Sequence, residues 1–206
     1  MDTTTRYGHG LRYVLAAAAL PALASAQEAG PRAASLRSGT LSFTAHATTG
    51  AFVGSTSAVF GRLEGSLTTA RGWVEAPVAT LATHNDLRDR DMRKTLEVEK
   101  YQTMRFDLTH VTFGPPADGA GDSVSVLLHG DLTIHGVRRV VELPAIVSLS
   151  GDSAHVVAAF PLDVEAYGVS GLTKMFGLLR MKRQIEVRLD LLFVRPAVRA
   201  ATAEDR

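Results

Sequence analysis

Apolar and polar side chains alternate along most of this chain, which is the pattern of strands buried on one face. Every second residue from Val124 to Ile134 is apolar or glycine, and the same alternation returns from Ile185 to Phe193. The pattern predicts eight strands, over residues 39–47, 55–67, 72–81, 104–113, 124–134, 138–149, 155–164 and 184–194. Many short strands with turn residues between them, and no βαβ pattern, favour a sandwich or an up-and-down barrel.

Glycines lie on the alternating faces of two of these strands, at Gly61, Gly65 and Gly130. A glycine inside a strand marks tight bending or close backbone approach, and a sheet that curls into a barrel needs both. The predicted inner faces mix such small residues with leucine, valine and phenylalanine. An eight-stranded barrel of this kind either fills its interior with side chains or encloses one small ligand, and the alternation leaves both open.

One stretch, residues 83–108, interrupts the alternation with a dense run of mixed charge. Asn85 or Asp86 is suited to cap a helix, and Asp89 adds a second acid near its positive end. Pairs at i,i+4, Asp86 with Arg90 and Asp89 with Arg93, would support an exposed helix. The sequence therefore predicts one helix over 86–100. It would lie on a surface or over an opening, because its apolar stripe is limited to Leu87, Met92 and Leu96.

Two polar clusters are candidates for a metal site or a ligand-binding site. His129, Asp131 and His135 alternate along one strand, but their row spans about 20 Å and would need His110 from a neighbouring strand to hold a metal ion. An exposed polar face is the simpler interpretation, with a metal-binding or protein-interaction module as the alternative. Residues 88–91 are interpreted as a solvated salt-bridged face, with polar groups at a ligand mouth as the alternative. The chain has no Gly-x-Ser-x-Gly motif.

The N-terminus has the pattern of a secretory signal peptide. Arg6 and Arg12 are followed by an apolar run over 13–23 and then by Ala24-Ser25-Ala26. We therefore predict a signal peptide over 1–26, cleavage after Ala26, and a periplasmic or secreted protein. The alternative is a hydrophobic N-terminus on a cytosolic protein. The run is too short to cross a bilayer, which takes about 20 residues.

After the signal peptide we expect a linker over 27–38, one domain over 39–195 and a tail over 196–206. The charge and the cysteine content of this remaining chain exclude several classes of function. Cleavage would lower 22 basic and 21 acidic side chains to 20 of each. A neutral domain argues against nucleic-acid binding and against electrostatic attachment to anionic lipid. Because none of the 206 residues is cysteine, disulfides, thiol catalysis and Cys-ligated zinc are excluded.

Four stretches in the same order resemble the YceI-like family of exported lipocalin-like proteins. The strongest is HGDLTIHGVRRVVELP at 129–144; the others are the charged segment, EAYGVSG at 165–171 and TTGAFVGST at 48–56. Together they span about 39–194. The chain departs from the family pattern at four positions, His84, Asp91, Gln102 and Glu165. These differences affect the expected ligand but not the expected barrel.

The resemblance implies an all-β fold, an eight-stranded antiparallel lipocalin-like barrel with one inserted helix and a long apolar cavity. It also implies a noncatalytic protein that binds an isoprenoid or quinone-like lipid as carrier or scavenger. No other cofactor, no nucleic-acid partner and no stable membrane insertion after signal cleavage are expected, and the protein would be a monomer or homodimer. An enzyme acting on an apolar substrate in the same cavity is the alternative.

Ligand contacts are expected from inward-facing residues and from the irregular stretch before the last strand. Tyr167, Met175 and Phe176 in that stretch would fold inwards as an apolar lid, with packing at the barrel end as the alternative. The predicted ligand-binding residues on the strands are Phe43, Phe106, Leu108, Val126, Leu128, Phe160, Leu189 and Leu191.

Overall fold

The computed structural model describes residues 33–48, 50–114, 123–170, 173–174 and 179–196. Helix α1 spans Asp86–Thr95, and two short 3-10 helices span Val78–Thr80 and Glu165–Tyr167. The strands are β1 (Ala34–Ala47), β2 (Gly50–Thr56), β3 (Phe60–Glu64), β4 (Arg71–Pro77), β5 (Thr103–Phe113), β6 (Ser123–Ile134), β7 (Val137–Ser150), β8 (Ser153–Asp163), β9 (Thr173–Lys174), β10 (Leu179–Arg180) and β11 (Gln184–Val194).

The main sheet closes on itself as an antiparallel barrel. Its order is β11, β8, β7, β6, β5, β4, β3 and β1, and β1 pairs back onto β11 from Ser35–Val194 to Thr44–Glu186. Strands β2 and β3 lie along the same edge of β1, with a break at residues 57–59 between them. Counted as one bent strand, they make the barrel eight-stranded. The predicted barrel with one inserted α-helix is therefore confirmed.

The first strands differ from the prediction at their boundaries. β1 begins at Ala34, so residues 34–38, predicted as part of the linker, belong to the sheet. Ala34 is buried and pairs with Leu63 of β3, so this stretch belongs to the sheet from its first residue. Most of β2 lies in the segment between the first two predicted strands, and the strand predicted over 72–81 ends at Pro77.

Gly130 shows why glycine occurs on the inner face of β6. A side-chain carbon at this position would lie 2.2 Å from the backbone oxygen of Asp107 and 2.8 Å from the Phe106 ring. Gly130 pairs with Leu108, next to a register shift between Leu108 and His110 in β5. The glycine therefore permits a close approach of two strands at an irregular point of the barrel.

A group of buried aliphatic side chains towards one end of the barrel is here called the filled end. It is the end that carries the β7–β8 hairpin, and Val126 and Ala145 are register partners there. The side chains that define it are Val111, Val126, Ala145 and Val147. The opposite end carries the β6–β7 turn and is called the cavity end. No helix within the described ranges is long and apolar enough to span a bilayer.

Candidate functional site

A cavity of about 510 Å³ occupies the barrel beneath α1. Its volume lies within the range of about 300–1,000 Å³ typical of sites that hold one small molecule. Aliphatic and aromatic side chains from the strands make most of its wall. They include Leu41, Phe43, Val74, Phe106, Leu108, Leu128, Leu132, Leu143, Phe160, Ile185, Val187, Leu189, Leu191 and Phe193.

Most of the predicted strand residues lie in this wall. The cavity is lined by Phe43, Phe106, Leu108, Leu128, Phe160, Leu189 and Leu191. Val126 is not among the lining residues, because it is packed into the filled end with only 1% of its surface exposed. That these side chains touch a ligand stays a prediction.

The three residues predicted to form a lid are not part of the described cavity wall. Tyr167 lies in the 3-10 helix after β8 and is 3% exposed, with the Arg139 guanidinium carbon 5.8 Å from the centre of its ring. It does not line the cavity, and burial raises the pKa of its hydroxyl. Met175 and Phe176 fall outside the described residues, so the lid remains a prediction.

Phe52 is a wall residue that sequence reasoning missed. It belongs to β2, in a stretch between the first two predicted strands that contains two glycines, Gly50 and Gly54. Its ring meets the Phe43 ring edge to face, with centroids 6.2 Å apart. The missed signal was the alternation of Phe52, Gly54 and Thr56, which are less exposed than their neighbours.

Helix α1 covers the cavity and begins at Asp86, as predicted. The Asn85 side chain caps it by accepting a hydrogen bond from the Arg88 backbone N–H at 3.0 Å. Three apolar residues predicted for its inner stripe, Leu87, Met92 and Leu96, line the cavity. The helix ends at Thr95 rather than Lys100, because residues 96–100 turn back towards β5.

Asp89 corrects the interpretation of α1 as a purely solvated charged face. Its side chain is 7% exposed, and one carboxylate oxygen accepts hydrogen bonds from the Thr83 backbone N–H at 2.8 Å and hydroxyl at 2.6 Å. The bond from the Thr83 hydroxyl lowers the pKa of Asp89, although burial opposes it. Asp89 thus fastens the start of the helix to the chain before it, instead of forming the exposed ion pair predicted with Arg93.

The other end of the helical segment rests on the β6–β7 turn. The rings of Tyr101 and His135 lie 4.3 Å apart, and His135 Nε2 is 3.6 Å from Glu97 Oε1. Gly136 adopts a positive φ of 74°, and a side chain there would come within 2.5 Å of the Tyr101 ring. The helical cover is therefore held at both ends, by Thr83 at its start and by this aromatic contact beyond its end.

Polar lining residues are concentrated on the cover. Asn85, Arg88, Asp91 and Thr95 of the helical segment line the cavity. Two further polar residues in the lining come from the strands, Glu75 and Arg105, and their side chains pair with each other at 3.4 Å. The cavity is thus an apolar chamber with a polar strip along one side.

The histidine row on β6 forms surface contacts. The rings of His110 and His129 stack 4.2 Å apart, nearly parallel at 5°, and His129 Nε2 lies 2.7 Å from the Thr112 hydroxyl. Within the described part of the chain, no group of three or more histidine, cysteine, aspartate or glutamate side chains is placed to hold a metal ion. The predicted exposed polar face is wrong in its exposure: the side chains of His129, Asp131 and His135 are only 16%, 19% and 10% exposed. They are polar groups packed against neighbouring strands and turns.

Solved structures share this architecture. A polyisoprenoid binding domain from Saccharophagus degradans is 19% identical, with a TM-score of 0.66, over 80% of this chain and 99% of that one. Burkholderia cenocepacia BcnA is 15% identical, with a TM-score of 0.62, over 75% and 95%. A Campylobacter jejuni YceI protein is 14% identical, with a TM-score of 0.55, over 70% and 85%. At these identities the likeness concerns the fold alone.

Sequence comparison supplies the family. No curated protein matches the chain significantly. The model of the YceI-like domain matches residues 34–193, which begins at the first residue of β1 and ends within β11. Because this match covers the whole barrel, the chain belongs to the YceI-like domain family.

Proposed function

We propose that this protein is a noncatalytic binding protein that holds an isoprenoid or quinone-like lipid in its barrel. The observation that carries the proposal is the apolar cavity of about 510 Å³ between the barrel strands and α1. Each buried methylene contributes about 0.8 kcal/mol. A tail with ten such groups inside would gain about 8 kcal/mol, against association costs of about 4 kcal/mol or more.

The comparisons support the ligand class and a binding role. The Saccharophagus degradans domain of the same fold is described as polyisoprenoid binding. The described wall of the cavity is mostly aliphatic and aromatic, which favours binding over catalysis. An apolar lipid is then the partner, held by a monomer or homodimer with no nucleic acid and no further cofactor.

Export is part of the proposal. The basic leader, the apolar run over 13–23 and Ala24-Ser25-Ala26 support passage through the secretory route and a periplasmic or secreted location. There the protein would carry or scavenge lipid released from a membrane. Mass spectrometry of the protein recovered from the periplasm should show a mature chain that begins at Gln27; an intact N-terminus in the cytosol would contradict export.

Ligand capture tests the central claim. The purified chain is examined by native mass spectrometry, then stripped of lipid and titrated with farnesol against an apolar fluorescent probe. We expect one bound ligand for each chain. Ala158→Leu, which points into the cavity, should reduce uptake, whereas Ala159→Leu on the exposed face of the same strand should not. A stripped protein that takes up neither probe nor farnesol would refute the proposal.

A further inference from the structure

Arg88 places a cation in the wall of the otherwise apolar cavity. It lies in the first turn of α1, and its guanidinium carbon is 4.4 Å from the centre of the Phe52 ring. Phe52 in turn contacts Phe43, so the guanidinium caps an aromatic pair that forms part of the wall. A guanidinium beside an aromatic ring has five N–H donors, which suit a planar acceptor such as a carboxylate or a phosphate.

The acidic groups near Arg88 are occupied. Asp89 accepts both hydrogen bonds from Thr83, and Asp91, which shares the cavity wall, is already engaged in an interaction of its own. Among the residues that the structure describes, no carboxylate oxygen lies within 4.0 Å of an Arg88 side-chain nitrogen. The hydrogen bond from Thr83 is the main cause of the lowered pKa of Asp89, and the nearby charge of Arg88 contributes to it. Arg88 nevertheless forms no direct ion pair within this part of the chain.

The surroundings of Arg88 would strengthen a pair with an anion. The residue is half-buried beside an aromatic ring, where the effective dielectric constant is lower than in water. Guanidinium groups bind carboxylates and phosphates through two parallel hydrogen bonds, which are stronger than bonds between neutral groups. An alcohol head group offers no negative charge and only one oxygen to the same donors.

We infer that the cavity selects amphiphiles whose apolar tail ends in an anionic head group, a carboxylate or a phosphate, that pairs with Arg88. The inference rests on the proposed lipid-binding function and makes it more specific. The tail occupies the apolar chamber, and the head lies at the polar strip of α1. A neutral isoprenoid alcohol of the same length enters the same chamber but leaves Arg88 without an acidic partner.

The test uses ligands that share one tail. Farnesol, farnesoic acid and farnesyl monophosphate are titrated into the delipidated full chain by displacement of an apolar fluorescent probe, with inorganic phosphate as a tail-free arm. We expect each anionic ligand to bind about tenfold or more tightly than the alcohol. Inorganic phosphate should displace nothing. The acid and the monophosphate together show whether either head group is preferred.

Variants on the same helix locate the effect. Arg88→Gln should bring the affinity for both anions down to the affinity for farnesol measured in the same variant. Arg88→Lys should retain part of the preference. Arg90→Gln, an exposed cation on the same helix that does not line the cavity, is the matched control and should change each affinity less than twofold. Circular dichroism confirms that each variant is folded.

The outcomes separate this inference from the proposed function. Equal affinities for farnesol and the two anions in the unmodified protein would overturn the inference and leave lipid binding intact. An equal loss in Arg90→Gln and Arg88→Gln would overturn it too, because the preference would then arise from the general charge of the helix. If inorganic phosphate, which has no tail, displaced the fluorescent probe, that result would also contradict the inference. If no ligand with a farnesyl tail binds at all, the proposed function itself fails.

Discussion

Two regions of this barrel are built from the same alternating pattern, yet one is closely packed and the other borders a cavity. At the filled end Val126 and Ala145 are buried register partners on neighbouring strands and do not line the cavity. At the cavity end β4 stops at Pro77, and α1 covers the opening with a thin apolar stripe. Leu128 and Leu143 are also register partners, but they line the cavity, so strand pairing alone does not fill the interior. The thin apolar stripe of α1 does not fill that space either.

The largest effect is expected where strands approach most closely. Gly130→Val would place a side-chain carbon 2.2 Å from the Asp107 backbone oxygen, which cannot move without breaking the sheet. Overpacking costs about 1–3 kcal/mol, and with a rigid backbone neighbour we expect about 3 kcal/mol or more. Urea unfolding would measure the loss. Ala159→Val on the exposed face of β8 is the control and should change stability by less than about 0.5 kcal/mol.

A paired substitution compares a closely packed position with a neighbouring position that borders the cavity. Ala145 and Ala158 are register partners that both face inward, but only Ala158 lines the cavity. Ala145→Leu should therefore destabilise the protein by about 1–3 kcal/mol. Ala158→Leu should cost clearly less, because the added atoms enter empty space. Equal losses of unfolding free energy in the two variants would mean that the cavity is not available space at Ala158.

A smaller effect is expected at the attachment of α1. Thr83→Val removes the hydroxyl that donates to Asp89 and should lower the thermal midpoint by about 2–4 °C. The pKa of Asp89 is lowered from 3.8 in the folded state, so its stabilising contribution is present above pH 3.8 and is lost as pH falls through the lower folded value. The difference in thermal midpoint between the variant and the unmodified protein should therefore become smaller in acid. A difference that grows below pH 3.8 would contradict this account.

The smallest effect on stability is expected at Leu87. Its side chain borders the cavity but is 66% exposed, so Leu87→Ala should change unfolding free energy by less than about 0.5 kcal/mol. If a tail passes beneath the helix, the same variant should weaken uptake of farnesol about threefold, as expected for partial loss of apolar contact. Fluorescence displacement measures this, and tighter binding would show that Leu87 instead obstructs entry.

Much of the site could be predicted from alternation, and the reasons for the misses are physical. Phe106 and Leu108 were placed correctly on an inner face, because strand geometry turns every second side chain to the same side. Val126 has the same pattern but lies in the filled end, and alternation carries no information about free volume. Phe52 was missed because its flanking glycines are also turn residues. Asp89 was misread because its partner, Thr83, lies outside the helix.

The sequence by itself determined the class of fold, the number of barrel strands and the start of the helix, since local periodicity and capping depend on neighbours along the chain. Only the tertiary structure decided that β1 closes onto β11, that α1 roofs a cavity and that Arg88 reaches its wall. These features depend on residues far apart in sequence, such as Phe52 and Arg88. Contacts between distant segments, and the space left between them, exist only once the chain has folded.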